Sequence, residues 1–214
     1  MLDTVNLGCE RGERMLFAGL DLAVAPGSLL RVAGPNGTGK TSLLRMLCGL
    51  LEPTTGEVRW NGINIRRQRE DHLKNLVYIG HLNGVKDDLT VIENLKVAQA
   101  VAGRNVDAAE LRKALESVNL AQFENTIARR LSQGQRRRVA LARLFATNNA
   151  PLWVLDEPFT ALDQRGVTAL SQAIASHVGN GNMVVFVTHQ DVAIEVQHQQ
   201  HVEIAGSVAA GAEA

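Results

Sequence analysis

Eight consecutive residues have the types and spacing of a loop that binds phosphate. Gly34 and Gly39 are separated by four residues. Lys40 and Thr41 follow directly, which completes the P-loop pattern. Glycines leave backbone N–H groups free to wrap a phosphate, Lys40 would reach the β- and γ-phosphates of a nucleotide, and the Thr41 hydroxyl would hold Mg²⁺. The predicted binding residues are Gly34, Pro35, Asn36, Gly37, Thr38, Gly39, Lys40 and Thr41.

The residues on both sides of this loop predict the strand and the helix that it needs. Residues 29–33 are a short apolar run, typical of a buried strand. From Ser42 to Leu51 the apolar residues recur at helical spacing. A helix that begins at the loop would add the partial positive charge of its N-terminus to the same anion. The alternative is a glycine-rich turn that binds nothing, but such a turn would require neither the strand before it nor the helix after it.

Two acidic residues and a histidine follow two other apolar runs. Asp156 and Glu157 come directly after residues 151–155, and His189 comes two positions after residues 183–187. In P-loop NTPases the acid that ends such a strand contacts Mg²⁺, and a second carboxylate can polarise the attacking water. We therefore predict Asp156 as a metal ligand, Glu157 as the general base and His189 as a γ-phosphate contact. The alternatives are acids that only cap the next turn and a structural histidine.

A second anion-binding site is predicted at the start of the helix in residues 131–143. Ser132 is a natural N-cap, and Gly134 leaves the backbone bare where the helix dipole is positive. The chain has one nucleotide loop, so the arrangement makes sense if a second copy of the chain supplies the phosphate. Two chains facing head to tail would then hold two nucleotides between them. An ordinary capped helix with a solvated arginine face is the alternative.

Strands that alternate with helices predict an α/β fold with a mainly parallel sheet covered on both faces. Residues 1–30 indicate short strands, and Asn61-Gly62 is a hairpin signal, so an N-terminal antiparallel β layer is expected as well. A long middle segment reads as helical, which indicates an inserted helical subdomain. We expect one domain made of a nucleotide-binding core at 1–83 and 150–204, the helical subdomain at 84–149 and a short Ala/Gly-rich tail at 205–214.

The predicted order of strands gathers the candidate residues at one edge of the sheet. Ligands of such sheets bind at the carboxyl ends of the strands. Five candidates follow strand ends, namely Gly34, His81, Asp156, Glu157 and His189.

The composition is that of an ordinary soluble globular protein, with 214 residues of which 45% are hydrophobic. The 22 basic and 22 acidic residues balance, so net charge gives no argument for a nucleic-acid partner and we expect none. Cys9 and Cys48 have neither metal-ligand spacing nor the density of a disulfide scaffold. The sequence has no signal-peptide pattern and no apolar stretch of about 20 residues, so we expect membrane association only through partners.

Together and in this order, these motifs resemble the ATP-binding cassette (ABC) family over nearly the whole chain. The matching segments are the phosphate loop 34–41, the signature loop 131–135, the acidic strand 152–157, the dimer-contacting loop 161–163 and the switch histidine His189. The resemblance implies ATP-driven dimerisation and hydrolysis of ATP, with Mg²⁺, at two shared sites. It also implies that Ser132 and Gly134 bind the ATP of the opposite subunit. Integral membrane transporter subunits would dock on the helical subdomain.

Three positions depart from the family pattern. Gln133 replaces the usual third-position glycine of the signature loop, where the loop packs against the opposite γ-phosphate. His81 stands where the family usually has a glutamine that serves Mg²⁺ and the water, so we assign it to the metal through a water. Arg11 lies in the segment that usually offers an aromatic ring to adenine, and its guanidinium is the candidate for stacking on the base.

Further segments resemble one subfamily, the ATPase subunits of the cytochrome c maturation system. They are 11–14, 80–81, 131–143, 151–153, 159–163 and 188–190. The subfamily is described as a haem exporter, and the resemblance implies work at the cytoplasmic face of the bacterial inner membrane, driving release of haem from a periplasmic chaperone. Nothing in the composition or spacing shows haem. The alternatives are the ATPase of another ABC transporter and a soluble non-transport ABC ATPase.

Overall fold

A computed structural model describes residues 1–146 and 150–205. Its strands are β1 Leu2–Arg11, β2 Arg14–Val24, β3 Leu29–Ala33, β4 Thr55–Trp60, β5 Ile63–Asn64, β6 Leu76–Ile79, β7 Leu152–Asp156, β8 Met183–Val187 and β9 Gln199–Glu203. Its α-helices are α1 Lys40–Leu47, α2 Arg69–Lys74, α3 Val91–Val101, α4 Ala108–Ser117, α5 Gln133–Phe145 and α6 Gln164–Gly179. Short 3₁₀ turns lie at Ile65–Gln68, Ala121–Phe123 and Ala128–Arg130.

The N-terminal β layer is an antiparallel sheet with strand order β2-β1-β4-β5. The prediction of short strands over residues 1–30 was wrong in length, because β1 and β2 have 10 and 11 residues and pair along most of them. The hairpin signal is confirmed, since β4 turns into β5 through Asn61 at φ 52° and Gly62 at φ 77°. Left-handed backbone at both turn positions is what Asn-Gly supplies at little steric cost.

The second sheet is parallel and has the strand order β6-β7-β8-β3-β9. All residues of β7 and β8 are buried, as their uninterrupted apolar runs predicted. Strand β9 was not predicted. Its sequence, Gln-Gln-His-Val-Glu, has no buried residue, and it becomes a strand because the outer edge of β3 offers it parallel hydrogen bonds.

Helix α1 ends earlier than its sequence pattern predicted. Its last residue is Leu47, not Leu51. Gly49 stops it by taking a φ of 68°, which glycine adopts at no steric cost, and donates its N–H to the carbonyl of Met46. Leu50, which was counted in the helical pattern, is half exposed.

Three apolar clusters cover the sheets. The first lies between the antiparallel sheet, α1 and one face of the parallel sheet, and the second joins α5 and α6 to the opposite face. The third is built from α3, α4 and α5 and the turns between them. The division into a core and a helical subdomain stays a prediction, because its end at residue 149 lies outside the described residues. So does the predicted tail beyond Ala205.

His177 is expected to make the stability of the protein depend on pH. Its ring stacks on Trp153 with centroids 3.7 Å apart, and burial lowers its pKa from 6.5 to about 4. Folding therefore favours the neutral ring, whose contribution is complete above pH 6.5 and is lost as the pH falls through 4. The free energy of unfolding should fall by about 2 kcal/mol over that window, allowing for the exposed part of the ring. Urea unfolding at a series of pH values measures this dependence. The free energy of unfolding should change less with pH in His177→Gln than in the wild type, and an equal pH dependence of the two proteins would contradict this role.

Candidate functional site

The phosphate loop joins β3 to α1 and takes backbone conformations that require glycine. Gly34, Gly37 and Gly39 have φ values of 138°, 78° and 103°. A Cβ on Gly34 would lie 2.5 Å from the carbonyl oxygen of Ile204, and one on Gly39 would lie 3.1 Å from the ring of Phe17. Left-handed backbone and close neighbours together leave glycine as the residue that fits, so the loop keeps its N–H groups uncovered.

Lys40 is the first residue of α1, and its ammonium group lies inside the loop. Its side chain is mostly buried, and Nζ donates to the carbonyl oxygens of Gly34 and Pro35, each at 2.8 Å. The ammonium is therefore held at the concave side of the loop by neutral acceptors alone. A phosphate placed there would meet a cation, a helix N-terminus and glycine backbone, so these residues fit a nucleotide.

Thr41 and Asp156 form a pair that fits a divalent cation. The Thr41 hydroxyl donates to Asp156 Oδ2 at 2.9 Å, and Asp156 is 2% exposed at the end of β7. Oxygen ligands from one hydroxyl and one carboxylate beside a phosphate are the set that Mg²⁺ uses in P-loop NTPases. The two residues are 115 positions apart in the chain, and only the packing of β7 beside α1 joins them.

Glu157 follows Asp156 in a strained backbone conformation. Its φ is 52°, in the left-handed region that non-glycine residues rarely adopt. Its N–H donates to the carbonyl of Val187 at 2.9 Å. The carboxylate Oε2 accepts from the backbone N–H of His189 at 3.3 Å, while Oε1 is buried without a hydrogen-bond partner among the described residues. Strain and an unsatisfied oxygen at one residue are typical of a functional group.

His189 lies against this carboxylate. Its Nε2 is 3.5 Å from Glu157 Oε1, a contact that is not a hydrogen bond, and its side chain is half exposed. The ring and the carboxylate thus face the same opening.

One cavity of about 420 Å³ brings the predicted groups together, which is within the usual size of ligand sites. Its lining residues are Leu16, Asn36, Gly37, Gly39, Lys40, Thr41, Ser42, His81, Asp156, Glu157, Val187 and His189. A larger cavity of about 560 Å³ lies beside α2 and β4 and contains none of the predicted site residues. We place the site in the smaller cavity, because the cation, the carboxylates and the helix N-terminus converge there.

Comparison with known protein families agrees with this geometry. The sequence model of the family described as ABC transporter matches residues 17–160. That segment includes the phosphate loop, the predicted signature loop and the acidic pair. The chain belongs to the ABC transporter family.

Relatives of high sequence identity share one name. A "Cytochrome c biogenesis ATP-binding export protein CcmA" of Aromatoleum aromaticum is 52% identical over 92% of this chain and 92% of the relative. A protein of the same name from Dechloromonas aromatica is 51% identical over 91% of this chain and 95% of the relative. The high coverage on both sides means that the similarity extends over the whole cassette.

Solved ABC cassettes share the fold. A dimeric bacterial ABC transporter cassette superposes with a TM-score of 0.83 at 24% identity, covering 95% of this chain and 94% of the other. A dimeric post-hydrolysis cassette bound to ADP and Pi gives 0.82 at 25% identity, covering 95% and 96%. The chain is therefore an α/β ABC ATPase cassette that binds ATP and belongs to a family of ATP hydrolases.

Of two further residues predicted to contact the nucleotide or its metal, one lines the cavity and the other does not. His81 lines the cavity and is exposed, so its ring can reach a ligand there. Arg11 ends β1 as an exposed residue and does not line the cavity. Leu16, which was not singled out from the sequence, does line it, and no motif signals this residue because its place comes from strand pairing.

The predicted signature loop lies apart from the phosphate loop of the same chain. Ser132 caps α5 by accepting from the N–H of Gln135 at 3.2 Å, and the Gln135 side chain accepts from the N–H of Ser132 at 2.8 Å. Ser132 and Gln133 are exposed, and neither they nor Gly134 lines the cavity. The N-terminus of α5 is thus exposed to solvent. Binding the nucleotide of another copy would require that exposure.

Gly134 also has a packing reason within this cassette. A Cβ there would lie 2.8 Å from the carbonyl oxygen of Ala161, which is itself held at φ 63°. We expect Gly134→Ala to lower the free energy of unfolding by about 1–3 kcal/mol, although alanine is the better helix former. Chemical denaturation measures this, with Gly179→Ala in α6 as control because nothing lies within 4 Å of the added methyl. Equal stability of the two variants would refute the clash.

Arg137 is the polar residue that the sequence patterns did not reveal. The residue types and spacing assigned it no role of its own, and the alternative interpretation of this helix counted its arginines as a solvated face, but the structure buries Arg137 beside Asp156 and Glu157. The available signal was its spacing to Leu141 and Leu144, which puts it on the buried side of α5.

Proposed function

We propose that this chain is the ATP-hydrolysing subunit of an ABC transporter complex that works in cytochrome c biogenesis. The observation that supports it most is the convergence of Lys40, Asp156, Glu157 and His189 in one cavity at the phosphate loop. The cargo and the process come from the names of relatives about half identical to this chain. In this proposal the work done is haem export, or release of haem from its chaperone, through membrane subunits.

Each residue of the site receives a role from its geometry. The N–H groups of the phosphate loop and Lys40 would bind the β- and γ-phosphates, and Thr41 and Asp156 would hold Mg²⁺, which would supply charge screening for the phosphates. Glu157 takes a proton from the attacking water, because its Oε1 accepts no hydrogen bond from the described residues. His189 contacts the γ-phosphate and holds the water beside Glu157. His81 reaches the metal through a water.

The second anion-binding site completes the proposal. Ser132 and Gly134 would bind the γ-phosphate of a second copy, since Ser132 is exposed and neither residue lines the cavity at the phosphate loop of its own chain. Two solved cassettes of the same fold are dimers, which supports this arrangement. Arg11 stays the candidate for stacking on adenine, although it lies outside the cavity, since it pairs with Arg14 of β2, two residues from Leu16, which lines the cavity.

The chain would act at a membrane by docking. Among residues 1–146 and 150–205, no helix combines the length and the apolarity that crossing a bilayer requires. We propose a peripheral position on the cytoplasmic face of the bacterial inner membrane, with integral membrane subunits on the helical subdomain.

The experiment that tests the process is complementation. A strain that lacks this gene should lose its c-type cytochromes, regain them with the wild-type chain, and fail to regain them with Glu157→Gln. Purification of the tagged chain from membranes should bring a multi-spanning subunit with it. Normal cytochromes in the deletion strain would reject the haem role, and co-purification of nucleic acid would favour a non-transport ATPase.

A further inference from the structure

Arg137 is a buried cation whose hydrogen bonds all end on the backbone and side chain of functional segments. It is 3% exposed on α5. Its Nη2 donates to the carbonyl oxygens of Asp156 at 3.0 Å and Glu157 at 2.7 Å. Its Nη1 donates to the carbonyl of Gly80 at 2.9 Å and to Asn83 Oδ1 at 3.0 Å, and Nε donates to the carbonyl of Pro158 at 3.4 Å.

These bonds use the whole donor set of the guanidinium. Arginine has five N–H donors in a fixed plane, and here each donor has one acceptor. Burying a cation is unfavourable, and desolvation lowers the pKa of Arg137, while the charges of Asp156 and Glu157 raise it. The planar guanidinium, with donors on three nitrogens, can bind carbonyls that point inward from two separate loops. Lysine has three donors on one atom and cannot make the same set of hydrogen bonds.

The segments held by Arg137 are those that position the water. Three consecutive carbonyls, from Asp156 to Pro158, surround the residue with φ 52°, which is Glu157. Gly80 and Asn83 flank His81 on the other loop of the cavity. A left-handed non-glycine residue persists only where surrounding contacts hold it, and Arg137 supplies three of those contacts directly.

We propose that Arg137 is a positioning residue, which holds the backbone of Glu157 and the loop of His81 in the geometry of hydrolysis and links both to the helix that begins at Ser132. This inference rests on the proposed role of Glu157 as base. Arg137 does not line the cavity, so it would act through the segments of Glu157 and His81 rather than on the reacting atoms. The N-terminus of its helix is the second anion-binding site, which would bind the nucleotide of another copy. Arg137 therefore connects that site to Glu157 and His81, which would act on the nucleotide of their own chain.

The test compares nucleotide affinity with turnover in the full chain. Arg137→Gln should bind ATP with a Kd within about threefold of wild type, because Lys40 and the phosphate loop are untouched, while kcat falls about a hundredfold, as small misplacements of a catalytic group do. Arg137→Lys should lose less, since it keeps the charge and some donors. The control is Arg112→Gln, which removes an exposed guanidinium paired with Glu124 at 3.0 Å and should match wild type in both quantities.

A double-mutant cycle separates positioning from general damage. On a Glu157→Gln background, Arg137→Gln should have almost no further effect on the residual rate, because the group that it positions is already gone. Backbone amides of residues 80–83 and 156–158 should exchange about tenfold faster in Arg137→Gln, a readout that needs no turnover. If Arg137→Gln does not fold, Arg137→Lys serves for the same measurements.

Three results would overturn the inference. They are a kcat of Arg137→Gln close to wild type, a loss of affinity that matches the loss of rate, and a full additive loss on the Glu157→Gln background. Failure of the proposed function is distinguishable, because it would show as absent turnover in the wild-type chain, and the exchange measurement would still test Arg137.

Discussion

Glu157→Gln is expected to leave ATP binding intact and to lower kcat by about 10²- to 10⁴-fold, the usual contribution of a general base. Glutamine keeps the size of the side chain and the backbone at φ 52°, but its amide cannot accept the proton of the attacking water. Phosphate release under saturating ATP and Mg²⁺ measures the rate, and equilibrium titration measures the affinity.

The same variant should accumulate as a nucleotide-loaded dimer. In the proposed cycle, hydrolysis is the step that reopens two copies closed around ATP, so a protein that binds without hydrolysing stays closed. Light scattering on a sizing column with ATP would detect the dimer. Glu195→Gln is the matched control, because Glu195 is an exposed carboxylate outside the cavity. Wild-type turnover in Glu157→Gln would remove Glu157 from the role of base.

Lys40→Ala is expected to weaken ATP binding by one to two orders of magnitude. Its ammonium is held by two carbonyl oxygens at 2.8 Å inside the phosphate loop, and in the bound state it would turn to the β- and γ-phosphates. One hydrogen bond between charged groups contributes about 1.5–3 kcal/mol, which corresponds to that loss of affinity. Calorimetric titration with ATP measures it.

The control for this variant is Lys74→Ala. Lys74 has an exposed ammonium 3.5 Å from Asp71 and is not part of the cavity, so its removal should leave ATP affinity unchanged. Circular dichroism confirms that both variants fold. Unchanged affinity and normal hydrolysis in Lys40→Ala would contradict the assignment of the phosphate loop.

The sequence predicted those features whose cause is local. Strand β3, the glycine loop and the start of α1 follow from a short apolar run, glycine spacing and helical periodicity. The buried strands β7 and β8 follow from uninterrupted apolar residues, and the residues after them fall at the carboxyl edge of a parallel sheet for topological reasons. That is why residue order and strand pattern were enough to predict that Asp156, Glu157 and His189 lie together.

Features whose cause is a distant partner escaped prediction. Strand β9 has no apolar pattern of its own and exists because β3 has a free edge. Helix α1 stops short of its apolar pattern for a local reason instead, because Gly49 takes a left-handed φ of 68° that apolar spacing does not take into account. Apolar periodicity shows neither effect, since the first depends on the free edge beside the segment and the second on a single glycine.

The amino-acid sequence by itself determined the family, the phosphate loop and the order of the acidic and histidine residues, because these depend on residue type and short spacing. Tertiary structure alone decided that the Thr41 hydroxyl donates directly to Asp156 and that Gly134 packs on Ala161. It also decided that Arg137 is buried under two loops rather than solvated. A guanidinium leaves water only where several carbonyls converge on it, and that convergence is a property of the folded chain.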